Sequence, residues 1–230
     1  MIKVKFFKIA VTLVAAIFFM SACGQTKTNS TMSTENKVTG EHLAADRAAD
    51  PNQTIDTATF GAGCFWCVEA VFQRLDGVMS IKSGYSGGTV KNPSYREVCN
   101  GSTGHAEVCQ IVFDNTKIKF EELLEVFWKT HDPTTLNSQG NDFGTQYRSA
   151  IFYHNAEQKQ LAEKYKKELN EAKVYPNPIV TEIKPFTNYY PAEDYHQNYY
   201  NQNGSEGYCK FVIQPKVEKF EKVFKNKLKH

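Results

Sequence analysis

Two thiols separated by two residues, Cys64 and Cys67 in Gly63-Cys64-Phe65-Trp66-Cys67, are the side chains best suited to chemistry in this 230-residue chain. A thiol acts as a nucleophile only when ionised, so its surroundings must favour an anion. Thr57-Ala58-Thr59-Phe60 reads as a short strand before the pair, and Gly61 and Gly63 allow a tight turn. Val68, Val71, Phe72 and Leu75 then recur at helical spacing, and Gly77 caps the run. The pattern predicts Cys64 in the first turn of a helix, where unpaired N–H groups and the macrodipole lower a thiol pKa. Free cysteines are more often small buried hydrophobes. The flanking glycines and the Phe65-Trp66 pair favour a pocket instead.

A candidate acid follows in Gly104-His105-Ala106-Glu107. On a period of two, Glu107 shares a strand face with Cys109, Ile111 and Phe113. Desolvation on that face raises a carboxyl pKa, which is what a general acid near neutrality needs. Pairing with Arg96 or Arg148 is the competing reading, and His105 reads as structural. Tyr95, after Asn92-Pro93-Ser94, and Tyr147, on a strand face with Ile151 and Tyr153, carry hydroxyls that can donate to a substrate oxygen. Since the chain holds 12 tyrosines, residue type alone singles out none of them.

The elements that must position these groups run in the order β-α-β-β-α-β. They are the first strand, the Cys64 helix, a strand over Val78–Tyr85, a strand over His105–Phe113, a helix over Phe120–Thr130 and a strand over Gln146–Tyr153. That order predicts an α+β domain with a ferredoxin-like two-layer sandwich core. A C-terminal extension follows: a helix from about Ala156 to Ala172, a strand near Ile179–Ile183, an irregular tyrosine-rich stretch, and a closing strand and helix.

The first 22 residues read as an export signal, with Lys3, Lys5 and Lys8 ahead of an apolar run from Ile9 to Met20 and small residues at Ser21-Ala22. The run is short for a span, which takes roughly 20 apolar residues. Cys23 behind the small pair resembles the lipid-modification site of bacterial lipoproteins, with Met20 where leucine is usual. A lipid there would anchor the chain to a membrane of the bacterial cell envelope without crossing it. Residues 23–56 read as a flexible tether, since Gln25 to Thr54 contains no aromatic residue and little to bury. Residues 57–230 are long enough for one domain. Removing the three signal lysines from 27 basic residues leaves 24, against 25 acidic. A near-neutral chain gives no reason to expect a nucleic-acid partner.

Taken in order, Gly63-Cys64-Phe65-Trp66, Tyr95-Arg96-Glu97-Val98, Gly104-His105-Ala106-Glu107, Gly140-Asn141-Asp142, Gly144 to Ala150, Pro191 to Gln197 and Gly207-Tyr208-Cys209 resemble the A-type peptide methionine sulfoxide reductase family. The resemblance spans Thr57 to about Phe224. It implies thiol-dependent reduction of S-methionine sulfoxide, free or in proteins, to methionine, with repair of oxidised proteins. Cys64 would be the nucleophile and Phe65 and Trp66 the wall around the substrate methyl group. Glu107 would be the acid, with Tyr95 and Tyr147 as donors and Asp142 nearby. It implies no bound cofactor and no metal; a thioredoxin-like protein or a dithiol would serve as external reductant, and the protein would act as a monomer.

The resulting sulfenic acid would condense with a second thiol. The family position is Cys209, on a segment that glycines leave mobile. Cys67, where many relatives have glycine, is the alternative, and direct reduction of the sulfenate is a third route. Cys99 and Cys109 read as structural. A thioredoxin-like oxidoreductase would use Cys64 and Cys67 but leave Glu107 idle, and a peptide-binding lipoprotein would use neither. The thiols lack the second close Cys/His pair of a structural zinc site.

Overall fold

A computed structural model describes residues 54–229. The expected signal segment, Cys23 and the tether up to residue 53 lie outside the described residues. The sheet begins at Ile55, two residues ahead of the expected domain start at Thr57. Ile55 and Asp56 therefore belong to a strand rather than to the tether, because Asp114 and Phe113 pair with them.

The described residues form an α+β fold. Strands β1 (Ile55–Ala62), β2 (Val78–Ser86), β3 (Ala106–Asp114) and β6 (Ser149–Tyr153) carry the sheet. Helices α1 (Phe65–Phe72) and α3 (Phe120–Thr130) follow β1 and β3. The hairpin strands β4 (Ser138–Gln139) and β5 (Asp142–Phe143) stand outside the sheet, and the one-turn helix α2 (Tyr95–Cys99) follows β2. Beyond β6 come α4 (Ala156–Glu171), β7 (Glu182–Pro185) and β8 (Tyr190–Pro191). The short α5 (Tyr199–Gln202) and α6 (Gln214–Val223) complete the fold. The strand order is β7-β6-β1-β3-β2-β8, antiparallel except where β7 runs parallel to β6.

Alternation along the strands creates two different faces. Phe60, Cys109, Ile111 and Ile151 belong to the main core with α1 and α3, whereas Ala106, Val108, Ala150 and Phe152 form a small cluster under Phe186 and Tyr189. Phe60 joins β1 to both helices, its ring 5.6 Å from Phe72 and 5.0 Å from Phe127. Such ring pairs add about 0.5–1.5 kcal/mol each beyond the area they bury. Helix α1 is buried almost all round, with Phe65 and every residue from Cys67 to Phe72 inside. A helix of that kind needs cover on the side away from the sheet. The C-terminal third supplies it.

Three sequence expectations change. The strand expected over Gln146–Tyr153 starts at Ser149, where pairing with Ala62 ends. Thr145–Tyr147 instead form a 3₁₀ turn after Gly144, whose φ of 138° suits glycine. Tyr147 is thus on a turn and not on the strand. The strand expected near Ile179–Ile183 is β7, shifted to Glu182–Pro185 by its register against Ala150–Tyr153. The closing strand is absent: Cys209–Ile213 is a π-helical turn running into α6. Cys209, Ile213, Val217, Phe220 and Phe224 are all buried at spacings of three and four, a helical period, and both outer sheet positions are held by β7 and β8.

Candidate active site

The β1–α1 turn sets the position of the first thiol. Gly63 has φ of 87°, and a Cβ there would stand 2.6 Å from Gln139 Cβ. Gln139 is fixed in turn by its amide, which accepts from Asp132 N–H at 3.1 Å and donates to Asp132 O at 3.0 Å. Glycine is therefore required both by conformation and by space. Cys64 is the N-cap of α1, and its carbonyl accepts from Cys67 N–H at 3.1 Å.

Glu107 lies on β3 with 1% exposure, on the face expected from the alternation. Its Oε2 accepts from Phe65 N–H at 3.0 Å, at the first residue of α1. Burial pushes the Glu107 carboxyl up to about 8, against the lowering effect of that bond, and the charges of Asp142 and Cys67 add to the rise. Glu107 is thus protonated at neutral pH. Arg148 does not pair with it; the guanidinium binds Glu182 at 3.2 Å and the carbonyls of Thr145 and Gly104. His105 is structural as expected: its Nδ1 accepts from Gly88 N–H at 3.0 Å and its Nε2 donates to Val90 O at 2.8 Å.

The two thiols share a proton unequally. Burial pushes the Cys64 thiol well up, and contact with Cys67 and the charge of Glu107 add to it. The Cys67 thiol falls to about 6, chiefly through its hydrogen bond from Cys64, with help from Lys216 and Tyr208. The Phe65 N–H at the start of the helix is taken by Glu107. The first proton lost belongs to the thiol pair, with Lys216 and Tyr208 favouring the anion on the Cys67 side.

Aromatic rings close around this centre. The Tyr95 ring stacks on Phe65 at 6.4 Å, and Tyr95 is held by α2, which opens with a Ser94–Glu97 capping box. Glu193 accepts from Tyr95 N–H and from Tyr85 Oη, both at 2.9 Å. Burial raises the Tyr95 and Tyr147 hydroxyls, with the Cys99 hydrogen bond adding at Tyr95 and nearby Glu107 adding at both, so both stay protonated. Trp66 Nε1 donates to His196 Nδ1 at 3.1 Å, and its ring stacks on Tyr199 at 3.7 Å, the two planes nearly parallel. Tyr208 Oη donates to Asp142 Oδ2 at 2.6 Å and lies 4.0 Å from Cys67 Sγ.

Every proposed site residue from 64 to 147 meets at this one centre. His196, Tyr199, Tyr208 and Lys216 also belong to it; His196 and Tyr208 lie in motifs that carry the family resemblance, whereas nothing in residue type or local spacing marks Tyr199 or Lys216. Cys209 sits differently from its expected mobile segment: it is wholly buried in the π-helical turn, and burial and the charge of Cys67 hold its thiol up. Cys109 donates to Phe65 O at 3.4 Å and packs as expected, while Cys99 hydrogen-bonds the Tyr95 hydroxyl. Among the described residues no group of three His, Cys, Asp or Glu side chains is placed to hold a metal ion.

Residues 56–228 match the peptide methionine sulfoxide reductase family. The chain belongs to that family. It is 54% identical over 175 residues to peptide methionine sulfoxide reductase MsrA of Saccharolobus solfataricus, covering 76% of this chain and 98% of the relative. It is 55% identical over 174 residues to MsrA 1 of Rhodopirellula baltica, covering 76% and 90%. Among solved structures, reduced Mxr1 from Saccharomyces cerevisiae matches with TM-score 0.64 and 37% identity over 73% of this chain and 96% of that one. Methionine sulfoxide reductase A of Corynebacterium diphtheriae matches with TM-score 0.60 and 38% identity over 70% and 80%. The protein is a peptide methionine sulfoxide reductase: it reduces methionine sulfoxide in a thiol-dependent reaction and so repairs oxidised proteins.

A titration of thiolate absorbance tests the charge placement in this reductase. One thiolate is expected to form as pH rises through about 6. Cys67→Ser should remove that step and leave the buried Cys64 unionised well into the alkaline range. Retention of the step in Cys67→Ser, with loss in Cys64→Ser alone, would return the charge to Cys64.

Proposed function

We propose that Cys64 attacks the sulfur of S-methionine sulfoxide while Glu107 protonates its oxygen. The observation that carries this reading is the buried, protonated Glu107 bonded to the amide next to Cys64. As Cys64 attacks, its proton passes to the Cys67 thiolate with which it shares a hydrogen bond. The attack forms a bond between Cys64 sulfur and the substrate sulfur; the protonated oxygen then passes to Cys64 sulfur as that bond and the substrate sulfur–oxygen bond both break, leaving methionine and a Cys64 sulfenic acid. Protonation matters because oxide is a poor leaving group, and a placed acid supplies roughly 10²- to 10⁴-fold. Phe65 and Trp66 hold the substrate methyl group, Trp66 being fixed by His196 and Tyr199. Tyr95 and Tyr147 donate to the oxygen, and Asp142 orients Tyr208. The choice of the S epimer follows the family resemblance.

Both candidate resolving thiols have a place in this reading. Cys67 is hydrogen-bonded to Cys64, so it takes the sulfenic acid first: the thiol proton it received leaves with the sulfenic hydroxyl as water, and a Cys64–Cys67 disulfide forms. Cys209, near enough for its thiol to feel the charge of Cys67, then exchanges with it and frees Cys64 for another turnover. A thioredoxin-like protein or a dithiol reduces the final bridge. No bound cofactor takes part.

The antiparallel order β6-β1-β3-β2 supports a ferredoxin-like arrangement of the core. We further infer an exported monomer, with residues 1–22 as signal, lipid on Cys23, and a tether between the cell-envelope membrane and the domain. The basic start, the apolar run and the small pair before Cys23 support that reading.

Single-turnover methionine release should follow a bell in pH. It rises as the thiol pair loses its first proton near 6 and falls as Glu107 loses its proton near 8. Glu107→Gln should lower the plateau by about 10²-fold and remove the alkaline limb. Stoichiometric methionine release by Cys64→Ser would overturn the nucleophile.

Mass mapping after one turnover without reductant should show Cys67 bridged to Cys209 in the wild type and to Cys64 in Cys209→Ser. Cys67→Ser should stall as a sulfenic acid. A direct Cys64–Cys209 bridge with normal turnover of Cys67→Ser would remove Cys67 from the sequence.

Cys23→Ala should abolish lipid attachment and shift the protein out of the membrane fraction while activity survives. Absence of lipid mass on wild-type Cys23 would leave an ordinary signal segment.

A further inference from the structure

The aromatic wall beside Cys64 is assembled from distant parts of the chain: Phe65 and Trp66 from α1, Tyr95 from α2, and His196 from the 3₁₀ turn Asp194–His196. The His196 imidazole is a wedge among the other three, its centroid 4.4 Å from Tyr95, 5.1 Å from Phe65 and 5.5 Å from Trp66. Burial lowers its pKa, so the ring is neutral. An indole N–H can only donate, so His196 Nδ1 accepts from Trp66 and the imidazole proton sits on Nε2. That Nε2 is buried and has no hydrogen-bond partner among the described residues. Glu193 Oε2 stands 4.0 Å from it, beyond hydrogen-bond reach but close enough for charge to act.

Half-buried Glu193 is where these pieces meet. Its Oε1 accepts from Tyr95 N–H at 2.9 Å, an amide that the start of α2 leaves unpaired. Its Oε2 accepts from Tyr85 Oη at 2.9 Å, on β2. Its carbonyl accepts from His196 N–H at 2.9 Å and closes the turn. Burial alone would raise the Glu193 carboxyl, but the Tyr95 amide, its own amide, the Tyr85 hydroxyl and His196 hold it below its ordinary value. It is therefore charged at neutral pH.

We propose that Glu193 is a positioning residue for the substrate wall: its carboxylate ties Tyr95 and the His196 turn to the sheet, and so sets the preference for a methyl over a larger alkyl group on the substrate sulfur. The inference rests on Phe65 and Trp66 holding the substrate methyl group, as proposed above. A methyl pocket excludes a longer group only if its wall does not yield. Stacking on Tyr199 fixes the plane of the Trp66 indole, and the directional bond to His196 fixes its place within that plane. Without the carboxylate, Tyr95 N–H and Tyr85 Oη lose their acceptor and His196 loses the charge facing its N–H. The wedge can then retreat from Trp66 and Phe65, which makes room for one more carbon.

The test compares the S epimers of methionine sulfoxide and ethionine sulfoxide, which differ by one methylene on sulfur, as substrates of the full chain with dithiothreitol. The wild type should prefer methionine sulfoxide in kcat/KM by about tenfold or more, the discrimination one methylene allows. Glu193→Ala should lower that preference by about threefold or more. The shorter Glu193→Asp carries the same expectation where the alanine variant fails to fold. Glu193→Gln keeps an acceptor for Tyr95 N–H and should retain more of the preference than either. The Trp66 indole N–H resonance, assigned by its loss in Trp66→Phe, should move upfield in Glu193→Ala as its bond to His196 weakens. A smaller change in preference, or an unmoved indole resonance in a folded variant, would overturn the role of Glu193. If the wild type shows no preference, or Trp66→Phe keeps it in full, the methyl wall itself falls. If Trp66→Phe lowers the preference and the Glu193 variants do not, only this inference does.

Discussion

The hydrogen bond from Phe65 N–H to Glu107 organises this protein. It joins the first residue of α1 to the central part of the sheet and buries a carboxyl where only its neutral form is comfortable. Two consequences follow from one contact: the start of α1 with the Cys64 thiol is fixed beside the carboxyl, and the first amide of the helix is occupied. Burial, working against the lowering effect of the bond, keeps the carboxyl protonated near neutrality. On the thiol pair, Lys216 and Tyr208 favour the anion on the Cys67 side.

The second constraint is the apolar character of α1. A helix buried on nearly every side cannot rest on a sheet alone, and the sheet covers one side only. Segment 194–224 wraps the other, bringing His196 and Tyr199 onto Trp66, Tyr208 between Asp142 and Cys67, and Lys216 next to Cys67. Buried Glu69 fastens this cover from within α1, accepting the backbone N–H groups of Asn198 and Tyr199. Packing demand and chemical demand are thus met by the same residues. The aromatic wall at Trp66 and the surroundings of the thiol pair are both finished by a segment more than a hundred residues downstream.

Local rules carried far in the first two-thirds of the chain. Two glycines before an apolar helical period placed Cys64 at a strand-to-helix turn, and alternation placed Glu107 inward with Cys109 and Ile111. They failed where non-local pairing decides. Tyr147 belongs to a strand by apolar pattern, but β1 has no residue left to pair with it, so the chain turns at Gly144 instead. Cys209 through Ile213 has strand-like composition, yet both outer sheet positions are already filled and its buried residues continue the period of α6.

The sequence by itself determined the chemistry available, a thiol pair at a helix start and a carboxyl on an apolar strand face, because residue type and short-range period are local properties. It also carried the motifs that resemble a methionine sulfoxide reductase. How readily the thiol pair ionises is a matter of tertiary structure, since it depends on desolvation and on donors from distant segments. The same holds for the burial of Cys209. A pKa is fixed by every charge and dipole within a few ångströms, and it is the fold, not the order of residues, that chooses those neighbours.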